Sequence, residues 1–244
     1  MRQAAALHDQ ERGVIRDGFP YAARAAPATR AVRGAMSLFL SRCLACLLCL
    51  AVAAPAFAQG QMPTVLDCTG AFARNADEGT LARVFGAANV ERADISVGEG
   101  NTEPGTAIFA KDPEKRIDIL WHDNYARPNV VIIRNGSTWP LAVTGLDKPV
   151  VAGATLAEIE TMNGKPFTLT GFGWDQGGYS NGWDGGRLDK PVGGCNLSLR
   201  FDPPKDAPGD ALDKVNGDVE FLSTDSAMRQ VKPVVIEIEL GWPQ

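Results

Sequence analysis

The chain has 244 residues, with 24 basic against 29 acidic side chains and a net charge of −5. Setting aside residues 1–58, which hold seven basic and three acidic side chains, leaves 186 residues with 17 basic and 26 acidic, a charge of −9. So acidic a surface excludes nucleic acid and anionic lipid as natural partners, because both require a basic face, and the length allows one substantial core.

Residues 36–58 read as a cleavable secretory signal peptide. Met36 offers a second start, Arg42 supplies the positive region, and Cys43–Ala53 is an uncharged apolar run of eleven residues. Pro55 breaks that run, and Ala56-Phe57-Ala58 is the small-x-small cleavage pattern before Gln59. The run falls short of the about 20 apolar residues a membrane span needs, and the absence of an Arg-Arg pair points to the general route. Residues 1–35 read as a misassigned start or a long leader. The expected location is periplasmic or secreted, with membrane contact only during export. Cys43, Cys46 and Cys49 leave with the signal, so Cys68 and Cys195 remain and are expected to form one disulfide in an oxidising compartment. It closes a loop of more than 120 residues, worth about 4–5 kcal/mol in the chain-entropy picture.

Taken in order, Gln59–Asp67 is an extended lead-in, and Thr80–Phe85 a short helix ended by Gly86. Thr106–Phe109 and Ile117–Trp121 are strands joined by the turn Lys111-Asp112-Pro113-Glu114. Val130–Arg134 is a third strand, followed by the turn Asn135-Gly136. Thr155-Leu156-Ala157-Glu158 matches a helix capping box, with Leu156, Ile159 and Met162 as the apolar stripe and Asn163-Gly164 as the stop. Phe167–Phe172 is a strand, and 171–194 a glycine-dense loop. Cys195–Phe201 alternates, with Cys195, Leu197, Leu199 and Phe201 facing one way and Asn196, Ser198 and Arg200 the other. Asp202–Asp218 reads as a linker, Ser226–Val231 as a helix, and Val234–Leu240 as a last strand with Ile236, Ile238 and Leu240 on one face.

TLARVFGAANV (80–90) and TLAEIETMNGKPF (155–167) begin alike, and IDILW (117–121) has a counterpart in LSLRF (197–201). The spacings are 75 and 80 residues, a weak internal repeat. The expected fold class is α+β, with short helices packed on one face of an antiparallel sheet. It forms a single mature domain over 59–244, and duplication would divide that domain into half-repeats 66–149 and 150–244.

The segment 171–194 stands out: nine of its 24 residues are glycine, and Trp174, Tyr179 and Trp183 alternate with Asp175, Asp184 and Asp189. Glycine lets a backbone approach a ligand closely. Aromatic faces beside carboxylates suit a sugar or a cationic group, and also a protein interface. Trp174, Asp175, Tyr179, Trp183 and Asp184 are therefore the candidate ligand-binding residues. The same composition also suits a long hairpin whose tryptophans cover a small core. The aspartate spacing matches neither the EF-hand nor the nonapeptide calcium repeat, so no metal site is expected. His122 could act as a base toward Ser137, but no G-x-S-x-G elbow or H-E-x-x-H helix accompanies them. No catalytic residues and no cofactor are expected.

At residues 150–200, GATLAEIETMNGKPFTLTGFGWDQGG…GGCNLSLRF resembles a group of bacterial exported proteins that share an N-G-x-P-F helix end running into GFGWD. With FGAANV and EKRIDILW, the resemblance covers most of 78–202. It implies export and carries no known activity. The chain is also loosely similar to the tandem helix-on-sheet repeats of β-lactamase inhibitory proteins and outer-membrane assembly lipoproteins. The resulting expectation is a non-catalytic envelope binding protein, with a protein or an envelope glycan as partner. An envelope hydrolase using paired carboxylates such as Asp175 and Asp184, and a structural envelope component, are the alternatives.

Overall fold

Strands with one apolar face must bury that face, and the described residues do so with eight strands and four short α-helices. A computed structural model describes residues 62–242. The signal peptide (36–58), the preceding segment 1–35 and Cys43, Cys46 and Cys49 lie outside the described residues. The elements in order are α1 (Glu78–Phe85), β1 (Val90–Gly98), β2 (Asn101–Ile108), β3 (Ile117–His122), β4 (Arg127–Arg134), α2 (Leu156–Asn163), β5 (Thr168–Thr170), β6 (Asn196–Asp202), α3 (Gly209–Leu212), β7 (Glu220–Leu222), α4 (Ser226–Val231) and β8 (Val234–Gly241).

The fold class is α+β. Six strands form an antiparallel sheet in the order β1-β2-β3-β4-β8-β6, and β5 pairs with β7 in a second, two-stranded sheet. Residues 178–181 join the two sheets. On one side Phe201 N–H donates to the Gly178 carbonyl and Ser180 N–H to that of Leu199 (both 2.8 Å); on the other, Thr170 N–H donates to the Tyr179 carbonyl and Asn181 N–H to that of Thr168 (both 2.9 Å). Part of the expected glycine loop therefore behaves as a strand. Gly178 permits this with a φ of 81°, and a Cβ there would run into the Phe201 carbonyl.

One face of the large sheet carries Ile119, Val131, Ile133, Leu199 and Ile238, and the helices cover it with Leu81, Phe85, Leu156, Ile159 and Met228. Two helix starts follow directly from local chemistry. Asp77 caps α1 by accepting from Thr80 N–H at 2.7 Å. Thr155 and Glu158 complete the expected capping box of α2, which ends on Gly164 at φ 76°.

The expected turn Asn135-Gly136 follows β4, with Ser137 N–H donating to the Arg134 carbonyl at 3.1 Å. The structure departs from the sequence expectations at three points. Ile236 does not share the face of Ile238 and Leu240: the register slips between Arg200 and Phe201, pairing Arg200 with Glu237 and Phe201 with Val235. Ile236 is the extra residue of this bulge, and Val235 takes the core position. The linker 202–218 contains α3. Finally, the two Thr-Leu-Ala triplets occupy different helix positions, since Thr80 is the third residue of α1 whereas Thr155 is the N-cap of α2.

The expected disulfide is present. Cys68 and Cys195 are bonded with their Cα atoms 6.0 Å apart and a sequence separation of 127. Among the described residues, no helix is long and apolar enough to cross a membrane.

Candidate ligand-binding cleft

The face of the sheet turned away from the helices is the candidate site, and strand register builds it. Directly paired residues point to the same face. Arg134 on β4 faces Glu237 on β8, Glu237 faces Arg200 on β6, and Arg200 faces Tyr179 on the linking segment. One rung along, Glu239 lies between Ile132 and Ser198. In β8, Glu237 and Glu239 alternate with the core residues Ile238 and Leu240, so both carboxyls reach the open face.

This row floors a cleft of about 370 Å³. Ser96, Val97 and Gly98 at the end of β1 close one side, because Arg134 Nη2 reaches across to donate to the Ser96 carbonyl at 2.7 Å. Asp175, Gln176 and Tyr179 close another. Leu120, Val130 and Ile132 give one wall an apolar surface, backed by a small buried cluster that includes Ile95 and Ala107.

The floor is a connected polar network. Asp118, 3 % exposed, accepts from Arg116 Nε at 2.8 Å and from Arg134 Nη1. Arg134 Nε also meets Glu237 Oε2 at 3.0 Å. The Tyr179 hydroxyl lies 2.7 Å from Glu237 Oε1 and 3.2 Å from Glu239 Oε1; it donates its single proton to one at a time. Arg200 donates to the Gly177 carbonyl at 3.0 Å and to that of Asp175 at 2.8 Å, and its guanidinium stands 5.1 Å from the centre of the Tyr179 ring. Burial, then the charge of Glu237 and the hydrogen bond with it, push the Glu239 carboxyl up to about 7. Burial and the two carboxyls push the Tyr179 phenol upward too, which keeps it a donor.

The five residues expected to form a binding surface are not brought together. Asp175 and Tyr179 line the cleft. Trp174 is half-buried, with its indole N–H donating to the Gly171 carbonyl at 3.0 Å. Trp183 is a correction: it is 2 % exposed and belongs to the core. Its ring centre is 4.9 Å from that of Phe167 and its N–H donates to the Leu197 carbonyl at 2.9 Å, so neither ring face is open to a ligand. Asp184 is exposed away from the cleft, its carbonyl accepting from Lys165 Nζ at 3.2 Å. Asp175 therefore lines the cleft and Asp184 does not. Among the described residues, no three His, Cys, Asp or Glu side chains gather to hold a metal ion.

His122 and Ser137 are not a base and a nucleophile. His122 pairs with Arg127 at one end of β4, and Ser137 follows Arg134 at the other, so strand rise alone separates them by roughly 25 Å. Ser137 Oγ instead accepts from Trp139 N–H at 3.3 Å.

Sequence reasoning missed Arg134, Arg200, Glu237 and Glu239. The alternation in LSLRF and IEIEL marked one charged face on each strand. What it lacked was the strand order, which sets β8 between β4 and β6. Comparison of the chain with protein-family models, curated proteins and solved structures finds no match.

Proposed function

We propose that the protein is an exported binding protein of the cell envelope, and that a glycan segment seats in the cleft on the open face of the sheet. The observation that carries this reading is the composition of the cleft: a floor of Tyr179, Arg200, Glu237 and Glu239 beside an apolar wall of Leu120, Val130 and Ile132. A sugar ring presents hydroxyls on its rim and C–H groups on its face. Carboxyl, phenol and guanidinium groups exchange hydrogen bonds with the first, and aliphatic side chains pack on the second. The disulfide, together with the tripartite leader at 36–58 and the resemblance to exported proteins, supports location outside the cytoplasm.

The carboxylates favour binding over hydrolysis. Glycoside cleavage places two carboxyls on opposite sides of the scissile bond, about 5–10 Å apart. Glu237 and Glu239 are neighbours on one strand and approach one Tyr179 hydroxyl at 2.7 and 3.2 Å, so they lie on the same side.

Calorimetric titration of the disulfide-bonded protein with defined cell-wall oligosaccharides tests the proposal. Binding is expected, weakened about tenfold by Tyr179→Phe through the loss of one hydrogen bond to a charged group. Failure of every oligosaccharide to bind, or binding untouched by substitutions in the cleft of a folded protein, overturns it.

A further inference from the structure

Charge pairing across the floor of the cleft leaves Glu239 without an ion-pair partner among the described residues: the charge of Arg134 acts on it, but the direct contact of that guanidinium is with Glu237. From β3 and its approach, Asp118 is held by Arg116. From β4, Arg134 spans Asp118 and Glu237. From β6, Arg200 gives its donors to the backbone carbonyls of Gly177 and Asp175. The carboxylate of Asp175 stands exposed at the rim. The residues directly opposite Glu239 on its two neighbouring strands are Ile132 and Ser198, neither of them charged. Among the described residues, the group from another element that hydrogen-bonds its carboxyl is the hydroxyl of Tyr179, at 3.2 Å.

We propose that Glu239, with Glu237 and Tyr179 beside it, receives a primary ammonium group, so that the glycan taken by this cleft is an amino sugar with a free amine. The inference rests on the reading of the cleft as a glycan site. An ammonium supplies three donors and one positive charge, matching the clustered oxygens of Glu237, Glu239 and Tyr179. It also supplies a counter-charge in direct contact with a carboxyl that is otherwise partly buried beside another carboxyl. Without ligand, the carboxyl pair satisfies itself by holding a proton, in keeping with the upward displacement of Glu239. Binding is then an exchange: the ammonium enters, the proton on the pair leaves to solvent, and total charge balances. An N-acetylated sugar brings no charge and cannot drive that exchange.

The test is calorimetric titration at pH 5.5, in two buffers of different protonation enthalpy, with a β-1,4-linked glucosamine tetrasaccharide and its fully N-acetylated counterpart. The free-amine probe is expected to bind roughly tenfold tighter or more and to release about one proton per ligand. Glu239→Gln, which keeps the shape of the side chain, is expected to abolish both the preference and the proton release. Equal or tighter binding of the N-acetylated probe, or free-amine binding with no proton release, overturns the amine inference and leaves the glycan cleft standing. Failure of both probes, and of the wider oligosaccharide panel, to bind overturns the two readings together.

Discussion

Glu239 makes the stability of the fold depend on pH in a direction opposite to that of most carboxylates. Its folded value of about 7 lies above the ordinary 4.5, so between those limits the folded state holds a proton that the unfolded state has lost. Stability therefore falls as pH rises from about 4.5 to 7 and is flat beyond, with a loss of at most about 3 kcal/mol. Asp77, Glu78 and Glu158 are displaced downward, Asp77 by the Thr80 hydroxyl and amide, Glu78 by Arg92 and Glu158 by the amide and hydroxyl of Thr155. Their contributions are lost as pH falls through the acid range and are nearly complete by pH 5; Asp202, raised by burial, acts in the same direction as Glu239, so comparison with Glu239→Gln assigns the change between pH 5 and 8. Urea midpoints of the wild-type protein should decrease across that window, and those of Glu239→Gln should change much less. A wild-type midpoint that rises from pH 5 to 8 would contradict the buried carboxyl pair. None of this was legible in the sequence, where Glu237 and Glu239 read as the solvent side of a strand. Trp183 shows the converse: a glycine-rich neighbourhood suggested a surface aromatic, but Phe167 and Leu197, distant in sequence, complete a core site around it.

At the scale of elements, legibility followed how local the decisive interactions are. The α2 helix was readable to within a residue because its start is a reciprocal contact across three residues. Glu158 N–H donates to Thr155 Oγ1 at 3.3 Å, and Thr155 N–H donates back to Glu158 Oε2 at 2.8 Å. The same contact yields a prediction: Thr155→Ala should cost about 1 kcal/mol, measured by denaturant titration, and the loss should shrink below pH 4 as Glu158 takes up its proton. An unchanged midpoint at neutral pH would show that packing of Leu156 and Ile159 alone sets the helix start. By contrast, β1 was invisible. Only Ile95 of its nine residues is buried, so the strand shows little apolar alternation. The expected strand Thr106–Phe109 covers only the end of β2; residues 101–104 pair only with β1, where the missing N–H of Pro104 on the far side breaks no ladder. The linking strand 178–181 was hidden for the same reason: its hydrogen bonds go to Thr168, Thr170, Leu199 and Phe201, and no short window of sequence contains all of them.

Among the described residues, the two stretches that duplication would delimit, 66–149 and 150–244, are joined by strand pairing and by a cross-link. Strand β8 from the second half inserts between β4 of the first and β6, and Leu66 N–H donates to the Pro140 carbonyl at 2.8 Å to hold the lead-in. The Cys68–Cys195 bond ties that lead-in to the start of β6. The surrounding backbone is shaped for it: Cys68 N–H donates to the Val192 carbonyl at 2.8 Å, and Gly193 packs so closely that a Cβ would meet the Cys68 carbonyl. A cross-link spanning 127 residues removes much of the freedom of the unfolded chain, worth about 5 kcal/mol in the chain-entropy picture. The double variant Cys68→Ser, Cys195→Ser should therefore lose about 3–5 kcal/mol, and its denaturant slope should rise because the unfolded chain becomes more expanded. Since β4, β8 and β6 keep their hydrogen bonds without the cross-link, the folded fraction should retain the cleft and bind any oligosaccharide that the wild type binds with the same affinity. Loss of binding in a folded double variant would mean that the bond positions the cleft in the native state and does more than restrain the unfolded one.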